Sequence, residues 1–275
     1  MVKAVVLWIL AILITLSSMI YQRKTGPNHP VKGELIVGNS QIVYKLERSH
    51  SGDTDQPVVI TAADSSIRGI LVYKRYKTND AWTKIPMVRD GKELRAQLPN
   101  QPAAGKLEYH IVIKTDDSEI IIPQREKIIT RYNGVVPGWV LGLHVSFMIF
   151  GMLFSTRTGL EALRKGTNIK TYVYLTVAFL FVGGMILGPV VQKFAFDAYW
   201  TGIPFGKDLT DNKTLIAMIS WIVAIFALLR NKKARGWIFA ASLITLIIYL
   251  IPHSMMGSEL DYSKMDAEQI QMIDE

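Results

Sequence analysis

The sequence predicts an integral membrane protein, α-helical with five spans, that carries an inserted extracytoplasmic all-β sandwich domain. Three observations lead there. The chain has 275 residues, 49% of them hydrophobic, and a mean hydropathy of +0.22, high for a chain in water. Its apolar residues gather in one run at the N-terminus and four after residue 135, the pattern of spans rather than of one large core. Between those runs lies a polar block whose hydrophobic period is two, the strand period.

Residues 4–21, AVVLWILAILITLSSMIY, are apolar or small throughout and follow Lys3. At ~1.5 Å per residue the run reaches roughly 27 Å, enough to span. Residues 1–21 therefore read as an uncleaved signal-anchor helix, since a cleaved signal has a shorter apolar stretch and a small-residue cleavage site. Residues 22–32 read as a tether, with Gly26, Pro27 and Pro30 as breakers.

From residue 33 to 131 short runs rich in β-branched and aromatic residues follow one another: 42–46, 58–61, 69–76, 82–87, 93–98, 106–113 and 119–122. Turn residues separate them, and Asp90-Gly91 is a good two-residue hairpin turn. Such spacing predicts a β-sandwich. The stretch Leu98-Pro99 through Gly105-Lys106-Leu107-Glu108-Tyr109-His110-Ile111 resembles the corner before the penultimate strand of immunoglobulin- and fibronectin-III-like domains. The resemblance implies that Tyr109 anchors that corner and that Trp82 sits on an inner strand. It implies a fold that binds proteins or sugars or spaces other parts, and no activity.

The second half predicts a four-helix membrane bundle over 135–253, with spans at 135–154, 172–191, 215–229 and 237–251. Residues 192–214 form an outer loop and 254–275 an acidic outer tail. Trp139, Tyr172, Trp237 and Tyr249 lie near predicted span ends, as an interfacial aromatic belt requires, whereas Trp221 falls mid-span. Two short basic loops set the orientation. Arg157, Arg164, Lys165 and Lys170 lie in one; Arg230, Lys232, Lys233 and Arg235 lie in the other. The positive-inside rule puts both in the cytoplasm, together with the N-terminus, and puts the β-domain, the 192–214 loop and the C-terminus outside. The expected location is a bacterial inner membrane. The same rule accounts for much of the net charge of +8 without nucleic acid. The chain has no cysteine, so disulfides and thiolate metal sites are excluded.

His144 is the histidine placed inside a span, where an ionisable side chain marks a functional site by default. Its plain alternative is a neutral imidazole bonded to another helix. His253 follows Pro252 at the outer end of the last span, and two such imidazoles are what a haem b would take as axial ligands. Asp197, Trp200, Asp208 and Asp211 make the loop 192–214 a candidate outer surface, although Asp208 and Asp211 also suit the N-cap of the next helix. Gly138 and Gly142 on one span, and Gly184 and Gly188 on another, read as small faces for close helix packing. No catalytic constellation and no spaced metal motif stands out.

The function expected from these features is that of an accessory, assembly or binding subunit whose β-domain and outer loop engage a protein partner in the cell envelope. Alternatives are a redox membrane protein that binds haem b or quinone through His144 with His253, and a small transporter or channel. Beyond the lipid bilayer and that partner no other macromolecule is expected, and no cofactor other than haem b comes into question.

Overall fold

The computed structural model describes residues 2–37, 40–116, 118–230, 234–252, 257 and 259–265. Two compact units emerge: Met1–Pro27 with Val136–Ser258, and Asn28–Val135 with Glu259–Glu275. The first is helical. Four helices are long and apolar enough to cross a membrane: Ala4–Thr25, Gly138–Leu163, Ile169–Phe196 and Leu209–Leu229. A shorter apolar helix follows at Ala234–Leu250. The β-sheet region is inserted between the first and second of these helices.

In the helical unit α1 is Val2–Thr25 and α2 is Gly138–Leu163. Next come α3 (Ile169–Leu180), a π-helical turn (Phe181–Leu187) and α4 (Gly188–Phe196) in one continuous run. The unit closes with α5 (Leu209–Leu229) and α6 (Ala234–Leu250). Pro189 in the first turn of α4 has no N–H to give an α-helical ladder, and the widened π turn sits immediately before it. The core of the bundle includes Ala162, Val173, Leu180, Met218, Trp221 and Ile238. Large apolar side chains such as Leu13, Leu143, Phe181, Ile219, Phe226 and Leu243 are exposed on its outside. A bundle solvated by lipid tails has this arrangement, because its exterior needs no polar cover.

The helices are longer than their apolar runs, and α2 shows why. Its last turns carry Ser155, Thr156, Arg157, Thr158 and Glu161, all buried inside the unit. Arg157 therefore does not belong to a loop. Its side chain is 1% exposed and its Nη1 donates to Glu161 Oε2 at 2.7 Å, one turn on. The guanidinium lies over the rings of Trp8 (5.4 Å) and Tyr172 (4.7 Å). Tyr172 thus has an interior role beyond any belt. Trp221, misplaced for a belt, is fully buried and donates its Nε1–H to Thr245 Oγ1 at 2.8 Å. A Cβ on Gly159 would collide with Ser242 Oγ, so α2 and α6 approach closely there.

The β-unit contains two sheets. One orders its strands β1 (Val31–Val37), β2 (Ser40–Leu46), β4 (Gln56–Ala62), β8 (Glu93–Leu98) and β7 (Val88–Asp90). The other orders β3 (Ser49–Ser51), β11 (Ile128–Asn133), β9 (Lys106–Lys114), β5 (Arg68–Arg75) and β6 (Thr83–Pro86), with β10 (Glu119–Ile122) also paired to β9. One core joins them, with Ile42, Ile60 and Leu94 from the first and Leu71, Ile111 and Ile128 from the second. The segment expected to be a tether is mostly structured, since α1 runs to Thr25 and β1 begins at Val31.

Tyr109 is fully buried, but its hydroxyl donates across the core to Glu47 O at 2.8 Å, just past the end of β2. Burial pushes this phenol above the usual tyrosine range, so it stays a donor. Thr130 Oγ1 donates to Gln56 Oε1 at 2.7 Å, again linking the two sheets. Tyr109 is thus a tie between sheets and not the local corner anchor that the immunoglobulin resemblance implies. Trp82 also departs from that resemblance. It is half-buried in the segment before β6, with Lys127 Nζ 4.3 Å and Lys74 Nζ 5.3 Å from its ring.

Residues 259–265 pack on this same β-unit. Leu260 N donates to Ala104 O at 3.0 Å, and Glu259 bridges Lys106 (2.6 Å) and Lys77 (2.8 Å). Tyr262 is buried; it accepts from Lys106 N at 3.0 Å and donates to Gln101 Oε1 at 2.9 Å. Burial pushes its hydroxyl up to about 12.

Burial alone would raise the Glu259 carboxyl, but hydrogen bonds from Lys106 and Lys77 outweigh it and hold the group below the usual range. A carboxylate depressed in the folded state stabilises docking above its ordinary value and loses that contribution as pH falls through the depressed one. Amide exchange at Leu260 is therefore expected to be slow at neutral pH and to speed up below about pH 4, relative to the intrinsic rate. Glu259→Gln should speed exchange already at neutral pH and flatten the acid response. In the bundle, Arg157→Met leaves the buried Glu161 with the half-exposed Arg164, 3.3 Å away, as its remaining cation, and is expected to cost about 3 kcal/mol, the low end for breaking a buried pair, in unfolding measured in detergent micelles. Adding Glu161→Leu to that variant should recover most of the loss.

Candidate functional site

The helical unit contains a partly open cavity of about 250 Å³ at the end of the bundle where α1 and α6 finish and α2 and α5 begin. Its wall is mainly apolar: Met148, Ile149 and Met152 of α2, Leu180 of α3, Ala217 of α5 and Ile248 of α6. Into this wall are set Gln22 and Arg23 of α1, His144 of α2, Thr210 and Lys213 of α5, and Tyr249 of α6. A mostly apolar wall with a few placed polar groups is the usual make-up of a ligand site, and this volume lies just under the roughly 300–1,000 Å³ of typical ones.

His144 owes its orientation to the π turn. Its Nδ1 lies 2.9 Å from Gly183 O, and a carbonyl only accepts, so Nδ1 carries the proton. The same carbonyl accepts from Gly188 N. In the neutral imidazole Nε2 is then a lone-pair acceptor, with no partner among the described residues. The turn approaches α2 this closely because its residues are small. A Cβ on Gly183 would meet Phe147 Cβ and Met148 Sδ, and one on Gly184 would meet Thr214 Cγ2 of α5.

Lys213 is 4% exposed. Its Nζ donates to Ile251 O at 3.0 Å and Pro252 O at 3.2 Å. Gln22 Nε2 reaches the same end of α6, donating to Tyr249 O (3.1 Å) and Ile251 O (3.4 Å). The last carbonyls of a helix lack intrahelical partners and form the negative end of its dipole, so an ammonium placed there is solvated by protein instead of water. Two of its three protons are spent on these carbonyls. Tyr249, expected in an aromatic belt, donates its hydroxyl to Met148 O at 2.9 Å and closes the wall between α6 and α2.

The residues predicted to form an outer surface serve the connection between α4 and α5. Asp208 caps α5, accepting from Thr210 N at 2.7 Å. Asp211 Oδ2 accepts from Thr201 N (2.7 Å) and Gly202 N (3.0 Å), and Asn212 Oδ1 from Ile203 N (2.7 Å). Asp197 ends α4 in a left-handed conformation and pairs with Lys193 at 2.6 Å. Trp200 donates its Nε1–H to Ile203 O at 3.0 Å. Asp197, Trp200, Asp208 and Asp211 thus shape the connection instead of converging on an ion. Among the described residues no group of three histidines or carboxylates is arranged to hold a metal.

Of the two histidines singled out in the sequence, His144 lines the cavity; His253 lies outside the described residues. Gly138 and Gly142 face open space, while Gly184 abuts α5 and Gly188 lies beside the His144 ring. The close approaches of α2 are made at Gly151, Gly159 and, across from it, Gly183. Sequence reasoning missed Lys213, Gln22 and Tyr249 as cavity residues. The signal for Lys213 was a cation inside the first turns of an apolar helix; Gln22 and Tyr249 carried none. No protein family matches the chain, and no curated protein matches it.

Proposed function

We propose that the protein is an integral membrane binding protein of the bacterial inner membrane, one that holds an amphiphile in its bundle and engages an envelope partner through its outer β-domain and loop. The observation that carries this reading is the cavity: an apolar wall with the Lys213 ammonium and the fixed His144 imidazole set into it. The molecule drawn there has a tail that suits the wall and a head that suits these two groups.

The topology that goes with the reading has five spans: α1, α2, the α3–α4 run, α5 and α6. Arg235 donates to Glu161 O and Gly166 O, so the two basic connections meet at one end of the bundle. The positive-inside rule makes that end cytoplasmic and the cavity end outer. At the outer end the 197–208 connection between α4 and α5 carries Tyr199, Ile203 and Phe205 exposed, the last by 82%, which supports contact with either the interface or a partner. A quinone site is the second reading, favoured by His144 Nε2, which would accept from a quinol hydroxyl.

The chain has no cysteine, so single cysteines report its topology directly. Ser51→Cys and Thr201→Cys are expected to react with an impermeant maleimide in intact cells, and Thr167→Cys only after lysis. Labelling of Thr167→Cys in intact cells would reverse the orientation. For the binding reading, gentle extraction followed by mass spectrometry should recover an amphiphile from the purified protein, and less of it from Ala217→Leu, which fills the cavity. Equal recovery from both proteins would remove the cavity from the function.

A further inference from the structure

We infer that the occupant of the cavity is an amphiphile with an anionic head, of the carboxylate or phosphate type, whose charge is held by Lys213. The inference rests on the binding reading above and names the ligand class for the same site.

The charges of the lining carry the argument. Among the described residues the cavity is faced by two cations, Arg23 and Lys213, and by no carboxylate. Asp208 acts on Lys213 electrostatically but does not line the cavity, and its Oδ1 is engaged in capping α5. Lys213 is nearly fully buried with carbonyl oxygens as its hydrogen-bonding partners. Carbonyl dipoles solvate an ammonium without neutralising it, so a formal positive charge remains beside an apolar wall, and an anion compensates it better than any neutral group. The same set of groups disfavours a cationic head, which would meet Arg23 and Lys213 with no carboxylate on the lining to offset them.

His144 adds to this fit when the head takes up a proton. Nε2 then accepts from the acid O–H while Nδ1–H stays on Gly183 O. The tail has a route outward as well. Arg23 and Val145 are exposed members of the lining, so the cavity reaches the surface of the bundle, where a chain continues among lipid tails. Met148 and Met152, unbranched and adaptable, suit a chain of variable length on the wall between.

The test uses the full chain in phosphatidylcholine nanodiscs and measures binding of laurate beside lauryl alcohol and methyl laurate. Wild-type protein should bind laurate about tenfold or more tightly than either neutral analogue, the usual scale for a charge-assisted contact. Lys213→Met should abolish that preference and Lys213→Arg should keep it. Ala217→Leu should weaken all three ligands together. Phosphatidylglycerol doped into the disc distinguishes the sources: if it displaces laurate, the anionic head comes from a bilayer phospholipid; if it does not, from a single-chain acid. Equal affinity for acid and alcohol, a preference kept in Lys213→Met, or tighter binding of a hydroquinone than of laurate would overturn the inference. Should Lys213→Met fail to fold, the wild-type comparison of acid with alcohol still decides. Equal binding of acid and alcohol that Ala217→Leu weakens would refute only the anionic head. No binding of any amphiphile would refute the binding reading itself.

Discussion

In the interior of the helical unit a charged or titratable side chain has no bulk water to fall back on, so it must find its partner in the protein. Three pairings answer that constraint. Arg157 takes Glu161 and two aromatic faces; Lys213 takes the carbonyls of Ile251 and Pro252 just past the end of α6; His144 takes the Gly183 carbonyl. Each draws helices together as a by-product, because the partners lie on different elements or are covered by them. The first fixes α2 against α1 and α3, and the second fixes α5 against α6. The third fixes α2 against the π turn. What is left between the last two is the cavity.

The β-unit meets a related constraint with fewer charges. Its core is apolar across both sheets, and two buried hydrogen bonds run between the sheets: Tyr109 to Glu47 O and Thr130 to Gln56. With no cysteine available for a cross-link, such ties and the shared core are what hold the sheets in register. The segment 259–265 adds a third kind of contact, an ion bridge with a buried tyrosine beside it, made from residues more than a hundred positions downstream of the last strand.

Much of this was legible in the sequence because two periods dominate it. Long apolar runs gave the helices, and alternation gave strands such as β4, β5, β8 and β9. The misses share a physical cause. Arg157 reads as a loop residue since composition marks charge, not burial, yet its spacing of four from Glu161 was the available sign of a helical pair. The end of α2 and the start of α5 run past the apolar segments because protein, not lipid, covers the polar turns there. Trp82 and Tyr109 were assigned by resemblance, and a local likeness does not say which sheet a hydroxyl will reach. Gln22 and Tyr249 meet at the cavity only through the packing of α1, α2 and α6, which no short window of sequence contains.

The π turn makes the chain unequally tolerant of two kinds of sequence change. A substitution at Gly183 or Gly184 adds atoms to a tight contact and is absorbed, or not, by the neighbours it meets. Loss of one residue anywhere in 181–187 is different in kind. The π turn holds one residue more than the α-helical turns on either side, so its loss would let the ladder close in the i→i+4 pattern while α4 roughly keeps its face. Gly183 O would then accept from the N–H four residues on instead of Gly188 N, which changes how it presents itself to His144. Natural variation in this stretch should therefore consist of exchanges of small residues at constant length.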